Sequence, residues 1–94
     1  MTFNGRDVVV RNEQLLTTEV DGEVMAMNVA RGECYGLDQI GSRIWAMIEQ
    51  PRQIEDLCAA LMEEFEVDAA TCRRDVEDLL QTLRNDGLVT VRAG

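Results

Sequence analysis

Apolar and polar residues alternate along the first third of the chain and recur every three to four positions along the rest. Leu15 to Val20 and Glu23 to Val29 are both rich in strand-forming residues, and Asp21-Gly22 stands between them. Aspartate-glycine joining two such runs marks a tight hairpin, because both central residues of the turn take positive φ. In the second run Val24, Ala26 and Asn28 point one way, and Met25, Met27 and Val29 the other. The methionine set is the more apolar and is expected to face the helices. Ala30-Arg31-Gly32 reads as a further turn and Glu33 to Leu37 as a third strand, which leaves that strand at the edge of a meander. Asp7 to Arg11 reads as a short strand or extended arm, broken by Asn12-Glu13-Gln14. Met1 to about Arg6 has no pattern and is expected to be a loose terminus.

The period changes at Asp38, a natural N-cap. From Gln39 to Glu49 the apolar residues Ile40, Ile44, Trp45 and Ile48 share one helical face, and Pro51 stops the helix. A second helix, Ile54 to Phe65, carries Ile54, Leu57, Cys58, Leu61, Met62 and Phe65 on one side. A third, Ala69 to Asp86, is capped by Asp68, carries Cys72, Val76, Leu79, Leu80 and Leu83, and ends at Gly87. Leu88 to Val91 reads as a short closing strand. This order predicts one α+β domain over residues 1–94: winged-helix-like, a three-stranded antiparallel β-meander followed by three α-helices and a short C-terminal strand.

Composition narrows the chemistry. Hydrophobic residues make up 46% and charged residues 29%, as in ordinary soluble domains. No apolar run approaches a membrane span and no signal-peptide layout opens the chain, so a cytoplasmic location is expected and no membrane partner. Cys34, Cys58 and Cys72 are odd in number and unpaired in spacing, which suits reduced thiols. Nine basic residues against eighteen acidic ones give a net charge of −9, and histidine is absent. The third helix sets Arg73, Arg74 and Arg84 among Asp75, Glu77, Asp78 and Asp86, a surface that repels phosphates; this argues against a winged-helix regulator of DNA despite the layout.

Without histidine the usual general base and commonest metal ligand are missing. The thiols lack metal-ligand spacing, and Glu63 to Asp68 lacks the alternating ligands and turn glycine of a calcium loop. No catalytic residue, metal or cofactor is expected, with Cys34 the thiol to watch as a nucleophile. Cys58, Cys72 and Trp45 read as core.

The third strand offers a mechanism. Glu33 to Leu37 contains neither lysine nor proline, the residues that usually blunt a sheet edge. A peptide adding a strand there gains about 0.5–1.5 kcal/mol per hydrogen bond and loses roughly 2–5 kcal/mol on ordering. Four or five backbone bonds do little more than offset that cost, so side-chain anchors are required. Tyr35 is one candidate, and the apolar positions of the third helix supply a wall.

The runs Leu15-Leu16-Thr17-Thr18-Glu19-Val20-Asp21-Gly22-Glu23, Tyr35-Gly36-Leu37-Asp38-Gln39-Ile40-Gly41-Ser42-Arg43-Ile44-Trp45 and Thr71-Cys72-Arg73-Arg74-Asp75-Val76 resemble the PqqD family, and within it the branch of stand-alone leader-binding proteins of lasso-peptide biosynthesis. The resemblance covers about residues 7 to 91. It implies a recognition element for ribosomally made, post-translationally modified peptides: a non-catalytic adaptor that binds the precursor's leader by strand addition. The adaptor then presents it to a separate leader peptidase, a cysteine protease, with a cyclase acting afterwards. Carried onto this chain, the pairing strand is Glu33, Cys34, Tyr35, Gly36 and Leu37, and the wall beside it is Cys72, Arg73, Val76, Leu80 and Leu83. PqqD itself, a peptide chaperone in a cofactor pathway, is the alternative within the family. The net charge of −9 favours the arrival of a basic leader over an acidic one.

Overall fold

The computed structural model describes residues 3–12 and 15–94. Its elements in chain order are β1 (Val8–Arg11), β2 (Leu15–Val20), β3 (Glu23–Asn28), β4 (Glu33–Gly36), α1 (Gln39–Met47), β5 (Arg52–Gln53), α2 (Ile54–Glu64), α3 (Ala69–Asn85) and β6 (Val89–Arg92). The meander is present as read. β2 pairs antiparallel with β3, Leu15 opposite Asn28 and Val20 opposite Glu23, and β4 pairs antiparallel with the other side of β3. The hairpin turns through Asp21 at φ 53° and Gly22 at φ 83°, the left-handed pair that such a turn requires.

The three helices fall within two residues of their expected ends, and their caps explain why. Asp38 Oδ1 accepts the Gly41 N–H at 2.7 Å, and Asp68 Oδ1 accepts the Thr71 N–H at 2.8 Å. After α3 the chain reverses at Gly87, φ 78°.

The alternation did not reveal a second sheet, ordered β5-β1-β6. β1 lies between the short β5 and the closing β6, with Val9 opposite both Arg52 and Val91. The run Val8-Val9-Val10 is therefore a central strand rather than an arm. The core between helices and sheets is filled by Ile44, Trp45, Ile48, Ile54, Leu57, Leu80, Leu83 and Leu88, all fully buried. Trp45 is core, as expected, and the Arg11 guanidinium stacks 4.5 Å over its ring.

Two expectations fail. The methionine face of β3 does not meet the helices: Met27 is 40% exposed, whereas Ala26 is fully buried. Hydrophobicity is a poor guide here because the inner face needs small and polar groups. Ala26 lets α1 approach closely. The Val24 N–H donates to Ser42 Oγ on α1, and Asn28 serves the end of α3. The N-terminus is not loose from Phe3 onward. Phe3 is buried, its carbonyl accepts from Arg73 Nη2 at 2.8 Å, and the Arg84 guanidinium stands 5.0 Å over its ring. Met1, Thr2 and the Glu13-Gln14 break lie outside the described residues.

A candidate peptide groove between the β4 edge and α3

β4 hydrogen-bonds to β3 on one side and, among the described residues, has no strand on the other, so its outer edge is open for pairing. The strand is short because Leu37 turns inward. Its N–H bonds to Val24 O at 2.8 Å, its carbonyl accepts from Ser42 Oγ at 3.1 Å, and its side chain is buried. Leu37, expected in the pairing strand, instead anchors the strand's end to the core.

α3 stands across from this edge. At one end the two are tied together. Asn28 Nδ2 donates to Asp86 O at 3.2 Å and lies 3.4 Å from Gly87 O. Arg31 Nη1 donates to Asn85 O at 3.0 Å. These donors occupy carbonyls that the helix leaves open at its C-terminus. The Tyr35 hydroxyl donates to Glu33 Oε2 at 2.5 Å and lies beside the Asp86 carboxylate. The Glu33 hydrogen bond, followed by desolvation and the neighbouring Asp86, holds the phenol well above its ordinary pKa.

At the other end lies a small apolar pocket of about 30 Å³, lined by Ile40, Leu61, Phe65, Val67, Cys72 and Val76, with the exposed Asp75 at its lip. Ile40 is 42% exposed although it sits on α1's apolar stripe. Its side chain is one wall of the pocket.

α3 places its predicted wall residues unevenly. Leu80 and Leu83 are 0% and 1% exposed and belong to the core, not to the groove. Cys72 and Val76 are equally buried, yet their far sides form the pocket floor. Arg73 points the opposite way, donating to Phe3 O and pairing with Glu77 on its own helix. Asp86 lies beside Tyr35 and Asp75 beside Ile40, and Leu79 and Thr82 fall between them at the three- and four-residue steps of one helical face, the next one round from the core stripe. Glu33, Cys34, Tyr35 and Gly36 do form the open strand; the Cys34 side chain, however, lies on the outer face of the sheet with Leu16, Met25 and Met27. Sequence reasoning missed Ile40, Asn28, Asp75 and Asp86 as groove residues, and it offered Leu79 among the apolar positions of the wall without carrying it into the pairing site. The helical stripe was available as a signal, but choosing its leucine-richest version selected the core.

The family described as coenzyme PQQ synthesis protein D (PqqD) matches residues 23–89, from the start of β3 into β6. The chain belongs to the PqqD family. This PqqD-family chain is also similar to the solved structure of TbiB1 in complex with the TbiA(beta) leader peptide. The TM-score is 0.80 at 32% identity, over 85% of this chain and 93% of that one. A structure of lasso peptide synthetase B1 complexed with the leader peptide matches with a TM-score of 0.73, over 87% and 96% of the two chains. At 17% identity that likeness is one of fold. No curated protein sequence matches the chain.

The PqqD-family chain buries two of its three thiols, Cys58 and Cys72. Cys72 Sγ lies 3.8 Å from Cys58 O, and burial pushes the Cys58 thiol up to about 11, with the adjacent Cys72 adding to the effect. A thiol at that value is protonated at neutral pH and is a poor nucleophile. Cys34 is exposed. Among the described residues no helix is long and apolar enough to cross a membrane.

Proposed function

We propose that this protein is a non-catalytic adaptor of lasso-peptide biosynthesis. It binds the leader of a ribosomally made precursor peptide by adding the leader as a strand to β4, and it presents that leader to a separate peptidase in the cytoplasm, ahead of a cyclase. The observation that carries the reading is the unpaired β4 edge beside a groove with an apolar pocket at one end. Backbone bonds along β4 give affinity with little sequence preference, and the pocket gives specificity. TbiB1, 32% identical over most of both chains, is a protein solved with a leader peptide.

Presentation to an enzyme needs a second surface, and the outer face of the β2-β3-β4 sheet supports one. Leu16, Met25, Met27 and Cys34 surround a hollow of about 230 Å³ there, and Leu16 is 62% exposed. An apolar face on so acidic a chain suits a protein partner. A leader paired with β4 would extend the same sheet, so an enzyme seated on it would touch the carrier and its cargo together.

The test is calorimetric titration with synthetic leader peptides encoded by precursor genes beside this one, combined with amide exchange. Micromolar or tighter binding, a negative heat-capacity change and new protection at residues 33–36 are expected. Absence of binding to any such leader by the folded protein refutes the reading. The alternative within the family, a chaperone for another modified peptide or cofactor precursor, rests on the family match itself; it is distinguished by which leader binds.

A further inference from the structure

We propose that the peptide taken by this groove is basic: an extended segment with one large apolar side chain and, about four to six residues from it, an arginine or lysine. The proposal rests on strand addition at β4 and adds the chemistry of the occupant.

The groove has two unlike ends. Its apolar end is the Ile40–Val76 pocket. Its other end is walled by carboxylates from both sides, Glu33 from β4 and Asp86 from the last turn of α3. Between the ends the same face of α3 carries Leu79 and Thr82, with Asp75 at the lip of the pocket. Arg73 reaches Phe3 O and Arg43 pairs with Glu64 at 2.7 Å, both away from the groove. Arg31 stands at the acidic end, but its Nη1 donates to the Asn85 carbonyl rather than to either carboxylate. Like charges on facing walls repel one another, and a cation between them relieves that repulsion.

Hydrogen bonding points the same way. Glu33 and Asp86 converge on the Tyr35 hydroxyl, which has a single proton and donates it to Glu33. A guanidinium with five donors, or an ammonium with three, can serve both carboxylates at once. An acidic or purely apolar segment laid over the same strand would gain nothing there.

The spacing follows from the backbone. From Asp86 back to Asp75 the helix rises about 16 Å at ~1.5 Å per residue. An extended strand covers that distance in about five residues at ~3.3 Å each, and side chains that enter the groove alternate, hence four or six. β4 runs from the acidic end toward the pocket. A strand added antiparallel, as β3 and β4 are paired, would carry its apolar anchor N-terminal to its basic residue.

The experiment uses fluorescent synthetic leaders, each with and without its arginine or lysine at this spacing replaced by glutamine, titrated against the full chain and its Glu33→Gln and Asp86→Asn variants. Loss of the basic residue is expected to weaken binding about three- to tenfold at low salt. Asp86→Asn should do the same, and the two changes together should cost no more than either alone. Raising NaCl from about 50 to about 500 mM should weaken the parent leader far more than its glutamine form. A leader that binds, protects residues 33–36 and ignores all these changes overturns the basic-peptide proposal while strand addition stands. A folded protein that binds no leader and shows no protection along β4 overturns both.

Discussion

Asn28 Nδ2 lies 3.2 Å from the carbonyl oxygen of Asp86, joining the inner face of β3 to the last turn of α3. This amide is buried, and its carbonyl side accepts the Arg31 N–H at 3.3 Å. One polar side chain therefore fixes the turn into β4 and the end of the helix opposite it, and so sets the width of the groove at its acidic end. Asn28→Leu keeps the volume but removes the donor. The half-buried Asp86 carbonyl is left unpaired, whereas Gly87 O keeps its bond from Asn12 Nδ2, so the expected loss is about 1 kcal/mol, to be read from urea unfolding. Leader affinity should fall further than in a surface variant of equal stability.

Gly87 sits against the same amide. It has φ 78°, and a Cβ placed on it would come within 2.8 Å of Asn28 Nδ2. Gly87→Ala meets both the left-handed backbone penalty of roughly 1–2 kcal/mol and this overlap. It should lower the thermal midpoint by several degrees for a domain of this size. Gly32→Ala, also at positive φ but with open space around it, should show the backbone penalty alone. Equal losses in the two variants would show that Asn28 moves freely.

Leu79 and Val76 separate binding from folding. Val76 is 1% exposed, and Val76→Glu buries an unpaired carboxylate; a change of that kind unfolds a small domain rather than merely blocking a site. Leu79 is half-buried on the stripe that faces β4. Leu79→Glu should keep most of the stability and weaken leader binding by about tenfold or more, as loss of a central apolar anchor does. Tyr35→Glu should behave in the same way. Circular dichroism melts beside titration of the same leader decide the matter, and normal binding by both Leu79→Glu and Tyr35→Glu would misplace the groove.

The local elements were legible because their signals are local: aspartate-glycine at the hairpin, aspartate caps on two helices, glycine after the third. The open strand was legible for the same reason, since Glu33 to Gly36 follow a turn and precede a cap. The long-range facts were not. Val8 to Arg11 acquires its meaning from Arg52 and from Val89 to Arg92, distant in the chain. The inward face of β3 was misjudged because Asn28 is buried for its hydrogen bonds and Ala26 for its smallness, neither of which a hydrophobicity count rewards. On α3 the leucines alone do not separate the stripe that fills the core from the one beside it. Position relative to β4 does, and that is tertiary information.

Phe3 tests the corrected N-terminus. Its ring is buried beneath the Arg84 guanidinium, and its carbonyl is held by Arg73. Phe3→Ala should destabilise the domain by about 3–5 kcal/mol, the range for a buried phenylalanine. A loss below 1 kcal/mol in urea unfolding would restore the expectation of a loose terminus from Phe3 onward.

Alkaline pH should destabilise the protein through its interior thiol. Burial raises Cys58 to about 11, while in the unfolded chain it titrates near the ordinary thiol value. Below that value the thiol is protonated in both states and has no effect on pH dependence. Above it the unfolded chain loses a proton that the folded chain keeps, so stability falls as pH rises, until the folded thiol also ionises near 11. The chain has no lysine, so no side-chain ammonium group titrates in this window. Tyr35, also raised, adds a loss of the same sign at the upper end. Urea midpoints measured from about pH 8 to about pH 10.5 should therefore decline. The slope should flatten in Cys58→Ala despite that variant's lower starting stability, and Tyr35→Phe should remove only the upper part of the decline. An undiminished slope in Cys58→Ala would assign the alkaline loss to another group.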